Sequence, residues 1–122
     1  EAATLIRRHR CLDLFFTDNA LPPAEAGRFF AQTADWERDA RFFAEIRIPR
    51  SQDVCELFRA GGLTTVQAGI EALSDSLLKR MNKGTRSLDN VAAMKFAAAA
   101  DIRLEGNLIL EFPGSTDQEV EE

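Results

Sequence analysis

Apolar residues along this chain come in two alternating textures. Leu12 to Phe16 is a short, mostly apolar run closed by Thr17, Asp18 and Asn19, which predicts a buried strand. Pro22 and Pro23 come next and predict a helix start, because proline is tolerated in a first helical turn. Ala26, Phe29, Phe30 and Ala34 then recur at helical spacing. Arg41 to Ile48 contains a second strand, Phe42 to Ile46. Ser51 reads as a helix N-cap, Val54, Leu57 and Phe58 as the inward stripe, and Gly61 and Gly62 as the stop. Thr64 to Ile70 is a third strand, rich in β-branched residues. Leu73, Leu77, Leu78 and Met81 predict a short helix from about Ser74, stopped by Gly84. Ser87 is placed to cap another, with Leu88, Val91, Met94 and Ala98 facing in. Leu104 to Leu110 is the fourth strand, after which Pro113 and Gly114 turn the chain and Thr116 caps a last helix.

Strands that alternate with helices imply parallel pairing, since a parallel crossover needs a dozen or more residues. The expected class is therefore α/β, with four successive βα units over residues 1–122. Two architectures fit: half of an eight-stranded barrel, or an open doubly wound sheet. A phosphate-cradling glycine loop after the first strand would favour the second, and Thr17, Asp18 and Asn19 stand there instead. The chain begins at Glu1 rather than Met and ends on what reads as the first turn of a helix, so a segment of a longer protein is expected.

At 122 residues and 45% hydrophobic, the chain can bury a core of its own and is too apolar to be disordered. No apolar run approaches the roughly 20 residues that span a bilayer. A net charge of −5 argues against sequence-independent nucleic-acid binding, which needs a basic face. Cys11 and Cys55 are too few for a disulfide scaffold or a four-thiolate metal site; each reads as a small buried hydrophobe, in keeping with the reducing cytoplasm. His9, among Arg7, Arg8 and Arg10, reads as part of a solvated basic patch.

The informative polar residues follow the strands. Asp18 and Asn19 follow the first, Glu45 and Arg47 close the second, Glu71 follows the third, and Asn107 interrupts the fourth. In a parallel α/β protein the strand C-termini gather on one face, where ligands bind. Asp18 and Asn19 also suit a plain turn. Glu45 and Glu71 are less easily dismissed, because a carboxylate beside apolar strand needs a partner. Lys83 stands at a helix end, where the dipole favours a cation, or where it clamps a ligand carboxylate.

In five stretches the chain resembles the radical S-adenosylmethionine enzymes, in particular the cobalamin-associated, methylthiotransferase-like and coproporphyrinogen-dehydrogenase-like branches. The stretches are Phe15-Phe16-Thr17-Asp18-Asn19, Ala44-Glu45-Ile46-Arg47, Gly69-Ile70-Glu71-Ala72-Leu73-Ser74, Leu77 to Gly84, and Gly106 to Thr116. Each is weak alone; in this order and at these intervals they cover nearly the whole chain. The resemblance implies the second to fifth strands of the family's partial TIM barrel. It also implies S-adenosylmethionine as cosubstrate, a 4Fe-4S cluster in the intact parent, and cobalamin in a separate domain as a possibility. The family's CxxxCxxC cluster loop is absent here, so the chain alone is expected to be inactive.

By position, the resemblance places Asp18 and Asn19 at the methionine amino group, without the family's usual GGE text. Glu45, with Arg47 beside it, falls near the methionine moiety, Glu71 at the ribose and Lys83 at the methionine carboxylate, where the family more often has arginine. Asn107 falls near ribose and adenine, and Ile109 to Gly114 against adenine, with Glu111 replacing a common glycine. The implied parent enzyme modifies a substrate by hydrogen abstraction, with peptide maturation or methyl transfer as candidate reactions. The other readings are a non-catalytic α/β module that binds a nucleotide or protein at the same rim, and an unrelated barrel enzyme using Glu45 or Glu71 as acid or base. Two open sheet edges and an apolar inner face would favour a homodimer or higher oligomer.

Overall fold

The computed structural model describes residues 1–36, 39–47 and 49–122. Its elements are α1 (Ala2–His9), β1 (Asp13–Phe15), α2 (Pro23–Thr33), β2 (Arg41–Glu45), α3 (Gln52–Ala60), β3 (Leu63–Glu71), α4 (Asp75–Arg80), α5 (Ser87–Ala99), β4 (Arg103–Leu108) and α6 (Asp117–Glu121). Ile48, within the second predicted strand region, lies outside the described residues. All four strands pair in parallel in the order β1-β2-β3-β4. That order decides between the two architectures. A doubly wound sheet reverses direction and carries helices on both faces, whereas sequential right-handed crossovers keep every helix on one face, as in an arc of barrel wall.

Alternation along the strands sorts the two faces. Phe42, Ala44, Ile46, Val66, Ala68 and Ile70 turn to the helices and are at most 8% exposed. The opposite, inner face carries Asp13, Arg41, Glu45, Gln67, Glu105 and Asn107, with the Phe15 and Phe43 rings tilted at 36° and 5.2 Å apart. The expected apolar inner face is therefore corrected: this face is mainly polar, and Phe15 is 70% exposed on it. The free edges are β1 and β4, as the topology requires.

The core lies between sheet and helices. Phe30, fully buried, has the rings of Phe16, Phe29, Phe42 and Phe58 around it, with centroids 5.0–6.3 Å away. The end of α3 packs directly on α2 at this point. A Cβ on Gly61 would stand 2.4 Å from the Phe30 carbonyl oxygen, and the buried Thr33 hydroxyl donates to Gly61 O at 2.7 Å. Only glycine permits that approach.

Three local expectations need correction. α1 has no predicted counterpart, because Ala2 and Ile6 alone face the core and two positions do not register as a period. In α3, Cys55 takes the buried position and Leu57 is 37% exposed. In α5, Asn90, Ala93 and Ala97 face in, while Leu88 is 68% and Val91 46% exposed. Alanines all round this helix leave no dominant apolar side, so the smallest residues, which let it lie close to the sheet, decide the buried one. Ser87 is the first residue of α5 rather than its cap; its N–H donates to Asp75 Oδ1 at 2.6 Å, and Asp89 Oδ2 accepts from Arg86 N.

α6 is fastened to α4. Thr116 caps it, its side chain accepting from Glu119 N. Glu119 in turn accepts from Ser76 Oγ (2.6 Å), Arg80 Nη2 (2.8 Å) and Thr116 N (2.9 Å), and Arg80 also donates to Gly114 O. The Ser76 hydroxyl first, then the Thr116 N–H and the Arg80 charge, hold the Glu119 carboxyl down at about 2.

Two predictions follow from this packing. Phe30→Ala should destabilise the chain by about 3–5 kcal/mol in urea unfolding, the range for a buried aromatic truncated in a core that cannot collapse around it. A loss below about 1 kcal/mol would show that the aromatic cage closes up. For Glu119, the folded carboxyl titrates near 2, below its ordinary value of 4.5. Its contribution is thus fully present above about 4.5 and disappears as pH falls through about 2. The stability gap between the wild-type chain and Glu119→Gln should be constant at neutral pH and shrink on acidification, closing near pH 2.

Candidate functional site

The C-terminal ends of β2, β3 and β4, with the α4–α5 turn and the start of α5, enclose a cavity of about 420 Å³. Asn19, Glu45, Arg47, Glu71, Lys83 and Asn107 line it. Asp18 and Ile109 do not. Asp18 is exposed in the loop after β1, and the Ile109 N–H donates to Glu71 O at 2.8 Å, prolonging the ladder between β3 and β4. Arg50, Gln67, Thr85, Asp89 and Asn90 complete the polar wall, and none of them stands just after a strand in the sequence, where the pattern points. Gln67 was findable: it pairs in register with Glu45, on the same face, as a polar interruption of an apolar strand.

Lys83 is delivered by the way α4 ends. Asn82 adopts φ 55°, its N–H donates to Lys79 O, and the Lys83 N–H reaches back to Leu78 O at 3.1 Å. This is a Schellman ending, with Asn82 as the left-handed residue and Lys83 next after it. Gly84, at φ 68°, then turns the chain toward α5. Both turning residues are of types that enter this region readily.

Glu71 is delivered differently. The register between β3 and β4 breaks between Ala68 and Glu71, and Glu71 itself sits at φ 63°. Its carboxylate meets Lys83 Nζ at 2.5 Å, both side chains being about a quarter exposed (25% and 28%). The pair passes over Gly69, where a Cβ would lie 2.9 Å from Glu71 Oε1 and 3.0 Å from Lys83 Nζ. A left-handed glutamate costs on the order of 1–3 kcal/mol. An ion pair this accessible returns about 1 kcal/mol at most. The pair alone does not hold the backbone there. Asn90, 5% exposed, donates from Nδ2 to Ile70 O (2.8 Å) and Ala72 O (3.0 Å), the carbonyls on either side of Glu71.

Across the cavity the charges stand more openly. Among the described residues Glu45 and Arg47 enter no ion pair, while Arg50 meets Asp89 at 3.2 Å. The Thr85 hydroxyl is buried in the wall and has no partner among the described residues. Carboxylates, cations and amides around one cavity suit a small zwitterionic ligand with further hydroxyl or amide groups. Metal binding is not supported in the same way. Among the described residues no group of three His, Cys, Asp or Glu side chains could hold an ion. Cys55 is buried in the core, where burial raises its thiol. Cys11, expected to be buried, is exposed, with its Sγ 3.2 Å from Asp13 O. An iron–sulfur cluster does not fit the residues of this chain.

No family model matches the chain. It is 32% identical over 71 residues to an uncharacterized methyltransferase of Pyrococcus horikoshii, and 31% identical over 68 residues to a provisionally assigned methylthiotransferase of Methanocaldococcus jannaschii. These matches cover 58% and 56% of the chain, which spans only 16% and 15% of the two relatives. The fold matches the cobalamin-dependent S-adenosylmethionine radical enzyme OxsB with aqua-cobalamin bound, at TM-score 0.79 and 19% identity, over 98% of this chain and 19% of that one. The same enzyme with aqua-cobalamin and S-adenosylmethionine bound matches at TM-score 0.78. The four-stranded unit thus has the fold of part of a radical S-adenosylmethionine enzyme, the family that the sequence resembles.

Proposed function

We propose that this chain is the part of a radical S-adenosylmethionine enzyme that binds and orients the cosubstrate at the strand C-terminal rim. The observation that carries the reading is the meeting of Glu45, Glu71, Lys83 and Asn107 around one cavity, from four separate elements or turns. S-adenosylmethionine presents an ammonium, a carboxylate, a ribose diol and an adenine. Lys83 is suited to the carboxylate, as a point charge rather than a bidentate fork. Glu45, with Asn19 nearby, is suited to the ammonium, Glu71 to the ribose diol, and Asn107 to ribose and adenine. When its sulfonium is split reductively, the cosubstrate supplies a 5′-deoxyadenosyl radical. The residues here hold the molecule, orient it and exclude water.

The cluster that delivers the electron would be held by cysteines elsewhere in a longer parent. Hydrogen abstraction from a substrate, with peptide maturation or methyl transfer as the outcome and cobalamin in a further domain, completes the proposal for that parent. The support is the fold match to a cobalamin-dependent radical enzyme together with curated relatives of methyltransferase and methylthiotransferase type.

Calorimetry tests the binding part. The chain should bind S-adenosylmethionine with a Kd on the order of millimolar, about −4 kcal/mol, because the cluster contacts are missing. Lys83→Ala and Glu71→Ala should each weaken this by about tenfold or more, the effect of losing one charge-assisted contact. Undiminished binding by both variants removes the pair from the site. The coding sequence upstream of Glu1 should contain CxxxCxxC, and a parent gene without it would end the radical-enzyme reading.

A further inference from the structure

We propose that Asn90 is a positioning residue, whose side-chain amide holds the left-handed backbone at Glu71 and through it sets the Glu71–Lys83 pair in the cavity wall. The proposal rests on the reading of that pair as ligand-facing, although the geometry of Asn90 stands without it. Asn90 lies on the sheet-facing side of α5 and is nearly completely buried. Both contacts of its carboxamide are carbonyl oxygens, Ile70 O and Ala72 O, so the nitrogen and not the oxygen must face them. One –NH₂ group thereby spans Glu71 from both sides. Ile70 O also accepts from Ala72 N at 2.8 Å, which closes a three-residue γ-turn with Glu71 at its centre.

Glutamate has no intrinsic reason to be left-handed here. Asparagine, aspartate and glycine enter this region readily; a longer side chain enters it only when its surroundings demand it. Those surroundings are the Asn90 bonds within the core, the Ala72 N–H on Ile70 O across the turn, and the Ile109 N–H on Glu71 O at the edge. With the backbone kinked, the Glu71 side chain crosses Gly69 to reach Lys83. Without Asn90, two buried carbonyls lose their side-chain donor, and an extended Glu71 would point its carboxylate elsewhere. Aspartate at position 90 would set acceptor oxygens against the same carbonyls.

The test is nuclear magnetic resonance of the whole chain, following the Lys83 Cε and Nζ resonances. In Asn90→Ala these should move to the positions seen in Glu71→Gln, while backbone amide dispersion is retained. S-adenosylmethionine should bind about tenfold more weakly. A folded Asn90→Ala whose Lys83 resonances match the wild-type chain overturns the proposal. If Asn90→Ala does not fold, Asn90→Ala with Glu71→Gly should, because glycine needs no support at this φ; a double variant that stays unfolded also overturns it. In the wild-type chain the two Asn90 Nδ2 protons should be distinct and slow to exchange, and averaged, fast-exchanging protons count against it. Lys83 resonances that respond to Asn90→Ala in a chain that binds no S-adenosylmethionine would leave the positioning role intact and remove the ligand reading instead.

Discussion

Because β1 to β4 all run the same way, each must hand the chain to a crossover before the next can begin, and each such handover happens at the same rim. The chemistry of the molecule is concentrated by this one requirement. A polar residue just past a strand end has no choice of side, and residues distant in sequence, such as Glu45 and Asn107, meet there without any local signal between them. The same requirement explains the inner face. Strands in sequential order curve with their helices outside, so the alternate positions of every strand line a concave surface. Here those positions carry charge and amide rather than aliphatic side chains.

The β3–β4 junction is where this regularity is broken. Ladder register shifts between Ala68 and Glu71, and the break lies beside Gly69, the left-handed Glu71 and the buried Asn90. Sheet pairing alone would continue the alternation with an extended backbone at residue 71. With the break, the Glu71 carboxylate lies over Gly69 and reaches Lys83 past the end of α4. Strain at a strand end is held by groups from another layer, and in this chain that layer is α5.

Most of the fold was legible because its signals are local. The βα order followed from period, capping types and glycine stops, and the four strands lie within a few residues of the predicted runs. Two kinds of feature were not legible. Where alanines are spread round a helix, as in α5, periodicity does not choose a face, and the decision falls to residue size against the sheet. Leu88 and Val91 consequently face out and Asn90 faces in. Where a residue works through backbone it does not neighbour, sequence gives no sign: nothing in Ser-Leu-Asp-Asn marks Asn90 as a donor to Ile70 and Ala72. Asp18 and Ile109 show the converse. Position after a strand or near its end suggested a rim, yet Asp18 stays in solvent and Ile109 contributes its backbone to the ladder.

The two partners of the central pair illustrate why one half of a site is easier to read than the other. Asn82 and Gly84 bracket Lys83, and both are residue types that enter left-handed backbone readily, so the text Asn-Lys-Gly already describes a helix ending that presents its middle residue. Glu71 also has a positive φ, with none of those features. A local Ala72 N–H bond to Ile70 O closes the turn around it, and hydrogen bonds from α5 and from the residue after β4 hold that turn in place. The Lys83 backbone is therefore placed by its own sequence neighbours. Glu71 is placed by the tertiary structure, and its carboxylate is only as well positioned as the packing of α5 on the sheet.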